Sequence, residues 1–269
     1  MIRSIFISIL FACISGCATT NTGEAFLLYD DDKVLESIPY FEKGVEEGAR
    51  ISALMLAMIY ARDTYIPQDI TLAQRYYDQY NDMTRSLYDN TLDYFQPFVQ
   101  ATIWLNDDDL GNDVKANKIL RSGQYRTFSP VLLTLGKNYA KGIGTKKNYR
   151  LSHELYRQAV EYQESVFVEL NYAWTLATHE DSVYRTTDPL TLIPNLDDVE
   201  EDLDFVYYDV LAAVLARQGK YVEAVAKQEV AIQRISRKLA VYPHYQEWLG
   251  EYQERKKSYE ANESWIDID

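Results

Sequence analysis

Thiols are almost missing from this sequence: its 269 residues include two cysteines, Cys13 and Cys17, and none from residue 18 onward. Disulfides therefore cannot staple the fold, and beyond residue 17 there is neither a thiolate nucleophile nor a thiolate metal ligand. Histidine is scarce as well, since His153, His179 and His244 lie far apart and no metal-binding pair stands at helical spacing. Basic side chains number 27 against 41 acidic ones, a net charge of −14, which argues against nucleic acid and against direct adhesion to anionic headgroups. The mostly apolar stretch from Ile5 to Ile14 falls well short of the roughly 20 residues a membrane helix needs. Gly142-Ile143-Gly144 lacks both the third glycine of a dinucleotide fingerprint and the Gly-Lys-Ser/Thr of a phosphate loop, and reads as a turn.

What stands at the N-terminus is a short export signal, Met1 to Gly16, with Arg3 as its positive region ahead of the apolar stretch. Ile14-Ser15-Gly16-Cys17 resembles the bacterial lipoprotein cleavage box, with Ile14 where that box usually has Leu. The resemblance implies cleavage before Cys17 and lipidation of Cys17. Ala18 in place of Asp resembles lipoproteins sorted to the outer membrane, facing the periplasm. Buried acyl chains contribute about 0.8 kcal/mol per methylene, so several of them anchor durably. Cleavage removes Arg3 and leaves 26 basic and 41 acidic side chains, a net of −15, on 253 residues. That length suffices for a substantial core or an extended array. The expected organisation is a signal peptide over 1–16, a lipidated tether over 17–30 and a helical-repeat domain over 31–265.

A repeat organises the rest. Leu56, Ala57, Tyr60, Ala61, Leu72, Ala73 and Tyr77 recur 79 residues later as Leu135, Gly136, Tyr139, Ala140, Leu151, Ser152 and Tyr156. Halving the offset exposes Ala101, Trp104, Ala116 and Leu120 between them, and the series continues through Ala173 with Leu176 and Ala212 with Leu215. Small residues thus recur at 57, 101, 136, 173 and 212, at intervals of 44, 35, 37 and 39, each with a large apolar residue three positions on. Residues i and i+3 or i+4 share a helix face, so a small residue lets two backbones approach while a neighbouring Tyr, Trp or Leu fills the wedge. An isolated hairpin cannot cover its apolar face, whereas stacked ones bury a continuous core. The expected fold is all-α, a solenoid of stacked antiparallel helix hairpins.

Leu135-Gly136, Tyr139, Gly142, Gly144, Asn148 and Tyr156 resemble a Sel-one-like repeat. Asp204 to Ile232, with Leu211-Ala212, Leu215, Gly219, Tyr221, Ala224 and Ala231, resembles its tetratricopeptide (TPR) relative. The likeness runs from about Ser37 to Ile232 and implies a surface for protein binding. Two places depart from it: residues 81–95 lengthen one interval, and Thr178 to Asn195 puts a polar, proline-containing connection where a second helix is due. Connections that long are either functional or loose. Beyond the last repeat, Tyr242 to Tyr259 reads as a capping helix with its apolar stripe turned inward.

Other clusters have structural readings. Asp107-Asp108-Asp109-Leu110-Gly111 puts its glycine at the wrong place for a calcium loop, and Lys118 stands where the bidentate Glu belongs. The run Asp197 to Asp202 suits the first turn of a helix, with Asp197 as cap. His179-Glu180-Asp181 reads as solvated loop. Among 23 tyrosines, Tyr60, Tyr77, Tyr139 and Tyr156 take packing positions, while Tyr76, Tyr125, Tyr149, Tyr184, Tyr207 and Tyr245 are candidates for an exposed binding surface. No convergent catalytic set is visible, so the expectation is a protein without enzymatic activity, cofactor or metal. Its partner is expected to be a protein, basic or secreted, and tyrosine stacking leaves polysaccharide open as a second ligand class. Two roles follow from the resemblance: a scaffold in secretion, pilus or exopolysaccharide machinery, or an immunity lipoprotein that sequesters a toxic effector enzyme.

Overall fold

The computed structural model describes residues 20–31, 33–85, 90–125, 127–163, 165–200 and 203–267. The signal at 1–16, the lipidation residue Cys17 and Ala18 lie outside them. Among the described residues the fold is all-α, with twelve α-helices, no strand, and neighbouring helices packed in pairs as in a repeat solenoid. The chain divides into two compact units, Met1–Gln124 with Ile143–Thr145, and Tyr125–Gly142 with Lys146–Asp269.

The first unit holds α1 (Thr20–Asp30), α2 (Val34–Glu46), α3 (Arg50–Tyr60), α4 (Ile70–Asp82), α5 (Asn90–Trp104) and α6 (Leu110–Leu120). Helix α1 corrects the expectation of a tether over 17–30. Its Ala25, Phe26 and Tyr29 form an i, i+1, i+4 stripe buried on α2, with the Phe26 and Phe41 rings edge to face at 5.2 Å. α3 is buried nearly all round, from Ile51 to Ile59, because α2, α4 and α5 all pack against it. Gly44 makes the closest of these approaches possible. A Cβ there would sit 2.4 Å from Ser52 Oγ and 2.5 Å from Thr22 Oγ1, two buried hydroxyls that share a 2.8 Å hydrogen bond between α1 and α3.

The second unit holds α7 (Ser129–Lys141), α8 (Tyr149–Tyr162), α9 (Val166–Thr178), α10 (Asp204–Arg217), α11 (Tyr221–Lys238) and α12 (Tyr245–Glu260). α7 opens with Pro130 in its first turn and stops at Gly142, whose φ of 79° supplies a left-handed cap. α8 buries Ser152, Tyr156 and Ala159 at i, i+4, i+7, and α11 continues the pattern with Ala224, Gln228, Ala231 and Ile235. α12 packs on α11 and buries Tyr245, Leu249, Tyr252, Arg255 and Tyr259.

The 79-residue offset reappears in the hydrogen bonding of each unit. Asp69 N donates to Tyr60 O at 2.9 Å and Asn148 N donates to Tyr139 O at 2.8 Å. The same two residues then cap the following helix, Asp69 accepting from Leu72 N and Asn148 from Leu151 N. Small and large positions are shared likewise: Ala57, Ala73, Ala101, Ala173, Ala212 and Ala224 are wholly buried, Gly136, Tyr77, Tyr156 and Leu215 are buried, and Tyr60, Trp104 and Tyr139 are half-buried.

Thr178 to Asn195 is not loose. It coils into two short 3-10 turns, Ser182–Thr186 and Pro189–Leu192, that pack on α8 and α9 and bury Tyr184 and Pro189. Asp197 does not cap a following α-helix; it sits in a further 3-10 turn, Leu196–Asp198, and α10 begins only at Asp204. The aspartates at 107 and 109 are used locally. Asp109 caps α6 through Gly111 N, and Asp107 accepts from Asp109 N and from the Asn112 amide.

Candidate interaction surfaces

In the first unit, α4 ends at Asp82 and α5 starts at Asn90, so the lengthened interval separates two helices that touch little. An open cleft of about 560 Å³ lies there, with buried Ile103 among its walls and, among the described residues, Asp78, Asp82 and Asp107 along it against one cation, Arg75. Asp78 and Asp82 are exposed. The arrangement offers carboxylates beside an apolar residue in a concave place, which suits a basic side chain or a basic helix face.

In the second unit, the two histidines that look distant in sequence converge. His153 on α8 and His179 after α9 both lie against the Tyr184 ring, at 5.8 and 4.5 Å between centroids. Tyr149 adds an edge contact to His179 at 4.6 Å, and the Tyr172 hydroxyl pairs with His153 Nε2 at 2.9 Å. His179 is therefore no part of a solvated loop, because the buried Tyr184 gives its ring a partner. Burial raises the Tyr172 and Tyr184 phenols and lowers the His153 imidazole from its ordinary value of 6.5. His153, Tyr172 and Tyr184 thus stay neutral near pH 7, and their rings hold the connection on α8. A group whose folded-state pKa is depressed binds its proton more readily when unfolded, so this contribution to stability is present above pH 6.5 and is lost as pH falls through the folded value. NMR titration of the His153 ring should give a midpoint below 6.5; a midpoint at or above 6.5 would contradict the packing.

A charged cluster ties α10, α11 and α12 together. Arg255 Nη1 donates to Asp209 Oδ2 at 2.8 Å, Gln228 Nε2 donates to Asp209 Oδ1 at 2.7 Å, and Arg255 Nη2 donates to Glu251 at 2.8 Å. The guanidinium also lies 4.7 Å from the Trp174 ring and 5.1 Å from that of Tyr252. Burial pushes the Asp209 carboxyl up, against the pull of Arg255 and Gln228. Burial lowers the guanidinium, but Asp209, Tyr252 and Glu251 outweigh it and hold Arg255 charged.

Four tyrosines proposed for an exposed surface are instead core: Tyr125, Tyr184, Tyr207 and Tyr245 are each less than a tenth exposed. Tyr76 is half-buried and stacks on Tyr60 at 5.7 Å, and Tyr149 is half-buried against His179. Among the described residues no helix is long and apolar enough to cross a membrane, and no three His, Cys, Asp or Glu side chains gather as metal ligands would. Comparison with protein families, with characterised proteins and with solved structures finds no match to this chain.

Proposed function

We propose that this protein is a membrane-anchored, periplasm-facing helical-repeat scaffold that binds a protein partner in envelope assembly, and that the partner presents a basic surface to the cleft beside α4. The observation that carries the reading is the cleft itself, where Asp78, Asp82 and Asp107 outnumber Arg75 around a concave opening. Its physical support is electrostatic. A chain of net charge −14 steers a basic partner toward it at low salt and loses that advantage as screening grows. The sequence Ile14 to Cys17 supports the anchor, and stacked hairpins support binding, since such arrays present extended surfaces.

The test is capture from envelope extract by residues 18–269, unlipidated, at low and high salt. The same capture is made with Asp78→Lys and Asp82→Lys together. Each exposed pair contributes about 0.2–1 kcal/mol, so the double reversal should weaken binding roughly tenfold and flatten its salt dependence. Undiminished capture by the reversed variant would remove the cleft from the interface. Capture of one secreted hydrolase, with loss of its activity, would assign the immunity role in place of the scaffold.

A further inference from the structure

The segment after α12 behaves as a bound peptide. Asn262 has a left-handed φ of 60°, and the amides of Ala261, Asn262 and Glu263 donate to the carbonyls of Lys257, Tyr259 and Ser258, which ends the helix and turns the chain back. Residues 263–267 then run without secondary structure past the C-terminal ends of α10, α9 and α7, where helix carbonyls are left without intrahelical partners. Ser264 Oγ donates to Ala216 O at 2.9 Å, and Asp267 N donates to Thr178 O at 3.2 Å. Trp265 packs against the buried cluster of Ala212, Leu215, Ala216, Ala224 and Tyr259, and the Arg255 guanidinium lies over its ring at 5.8 Å from the centroid. The Asp267 carboxylate accepts from Trp174 Nε1 at 3.4 Å and pairs with Lys141 Nζ at 3.7 Å.

These are the contacts by which a groove reads an extended ligand: backbone bonds for hold, one aromatic pocket, one cation for a carboxylate. They are also few, and those made by Asp267 are long, at 3.2, 3.4 and 3.7 Å. Every residue from Ser264 to Asp267 remains part-exposed. A segment held this way stays seated because its covalent tether supplies an effective concentration on the order of millimolar.

We propose that this channel is a peptide-binding site for an extended segment of a partner protein bearing an aromatic residue and, two positions on, a carboxylate, and that residues 264–267 are its resident occupant. The occupant is a different protein and not a second copy, because two chains of net charge −14 repel. The inference lies wholly in the second unit and does not depend on the acidic cleft.

The experiment uses a fluorescein-labelled peptide of residues 258–269 and the chain of residues 18–269, unchanged or carrying Trp265→Ala with Asp267→Ala. Emptying the channel should let the peptide bind saturably and at least tenfold more tightly than to the unchanged chain. Replacing the peptide's own tryptophan with alanine should abolish binding, and Lys141→Glu in the acceptor should weaken it. Circular dichroism checks that the acceptor is folded; if the double variant melts out, Asp267→Ala alone serves as the acceptor. Equal binding to the unchanged and emptied chains would overturn the proposal, as would no saturable binding to a folded acceptor. Concentration-dependent dimerisation of the unchanged chain, abolished by Trp265→Ala, would overturn it in favour of exchange between copies.

Discussion

Replacing Arg255 with alanine is expected to cost about 3–5 kcal/mol of folding stability, because it leaves the Asp209 carboxylate buried without its cation. The Asp209 side chain is 6% exposed and Arg255 10%, so water cannot take over the lost bonds. Gln228 would still donate to Asp209 Oδ1, which is why Asp209→Ala should cost a similar amount and not less: it strands Gln228 and leaves the guanidinium only the exposed Glu251. The loss includes packing, since the guanidinium covers the Trp174 and Tyr252 rings. Urea unfolding followed by circular dichroism reads the change in midpoint. A shift worth under 1 kcal/mol for Arg255→Ala would mean that the cluster is hydrated and contributes as a surface pair does. Changing all three partners together, Asp209→Leu and Gln228→Leu with Arg255→Met, should recover most of the loss, because a matched apolar set removes the desolvation cost along with the attraction and leaves no buried amide without its acceptor.

That cluster was invisible in sequence for a definite reason. Asp209 and Arg255 stand 46 residues apart, and Arg255 lies in Glu251-Tyr252-Gln253-Glu254-Arg255-Lys256-Lys257, which has the composition of a solvated helix face. Only the position of Arg255 in the stripe of Leu249, Tyr252 and Tyr259 hints at burial, and composition masks that hint. The repeat was legible because it depends on local periodicity: small residues at 57, 101, 136, 173 and 212 each land on a helix, and all are buried. Tyr184 illustrates the opposite case. Its neighbours Asp181, Ser182 and Arg185 give no apolar pattern, and its burial comes from rings supplied by α8 and the end of α9. Helix α1 leaves little trace in the sequence because a stripe of three residues in one short segment has too few turns to show a period. The cleft beside α4 was half legible. The long interval at 81–95 marks where neighbouring hairpins separate, but the acidic lining joins Asp78 and Asp82 of α4 to Asp107 in the turn between α5 and α6.

Gly136→Leu is expected to destabilise the protein by about 3 kcal/mol, at the upper end of overpacking costs. An added Cβ already lies 3.0–3.3 Å from three atoms of the Tyr156 ring, so the remainder of a leucine has no room unless that ring moves. The ring is poorly placed to move. It is 6% exposed and stacks on Tyr172 at 5.7 Å with its plane within 2° of parallel, so any shift on α8 disturbs α9. Gly136→Ala separates crowding from mere loss of glycine. It should lie within about 1 kcal/mol of the parent, since the gain of alanine over glycine inside a helix offsets a shift of a few tenths of an ångström. Tyr156→Ala supplies the decisive background. Alone it should cost about 3–5 kcal/mol by opening a cavity, but with the ring gone, leucine at 136 enters vacated space and its penalty should fall by at least 1 kcal/mol. Thermal and urea unfolding of the four proteins close the cycle. Strict additivity would show that residue 136 and the Tyr156 ring do not meet, and would remove the small-and-large wedge as the principle that stacks these hairpins.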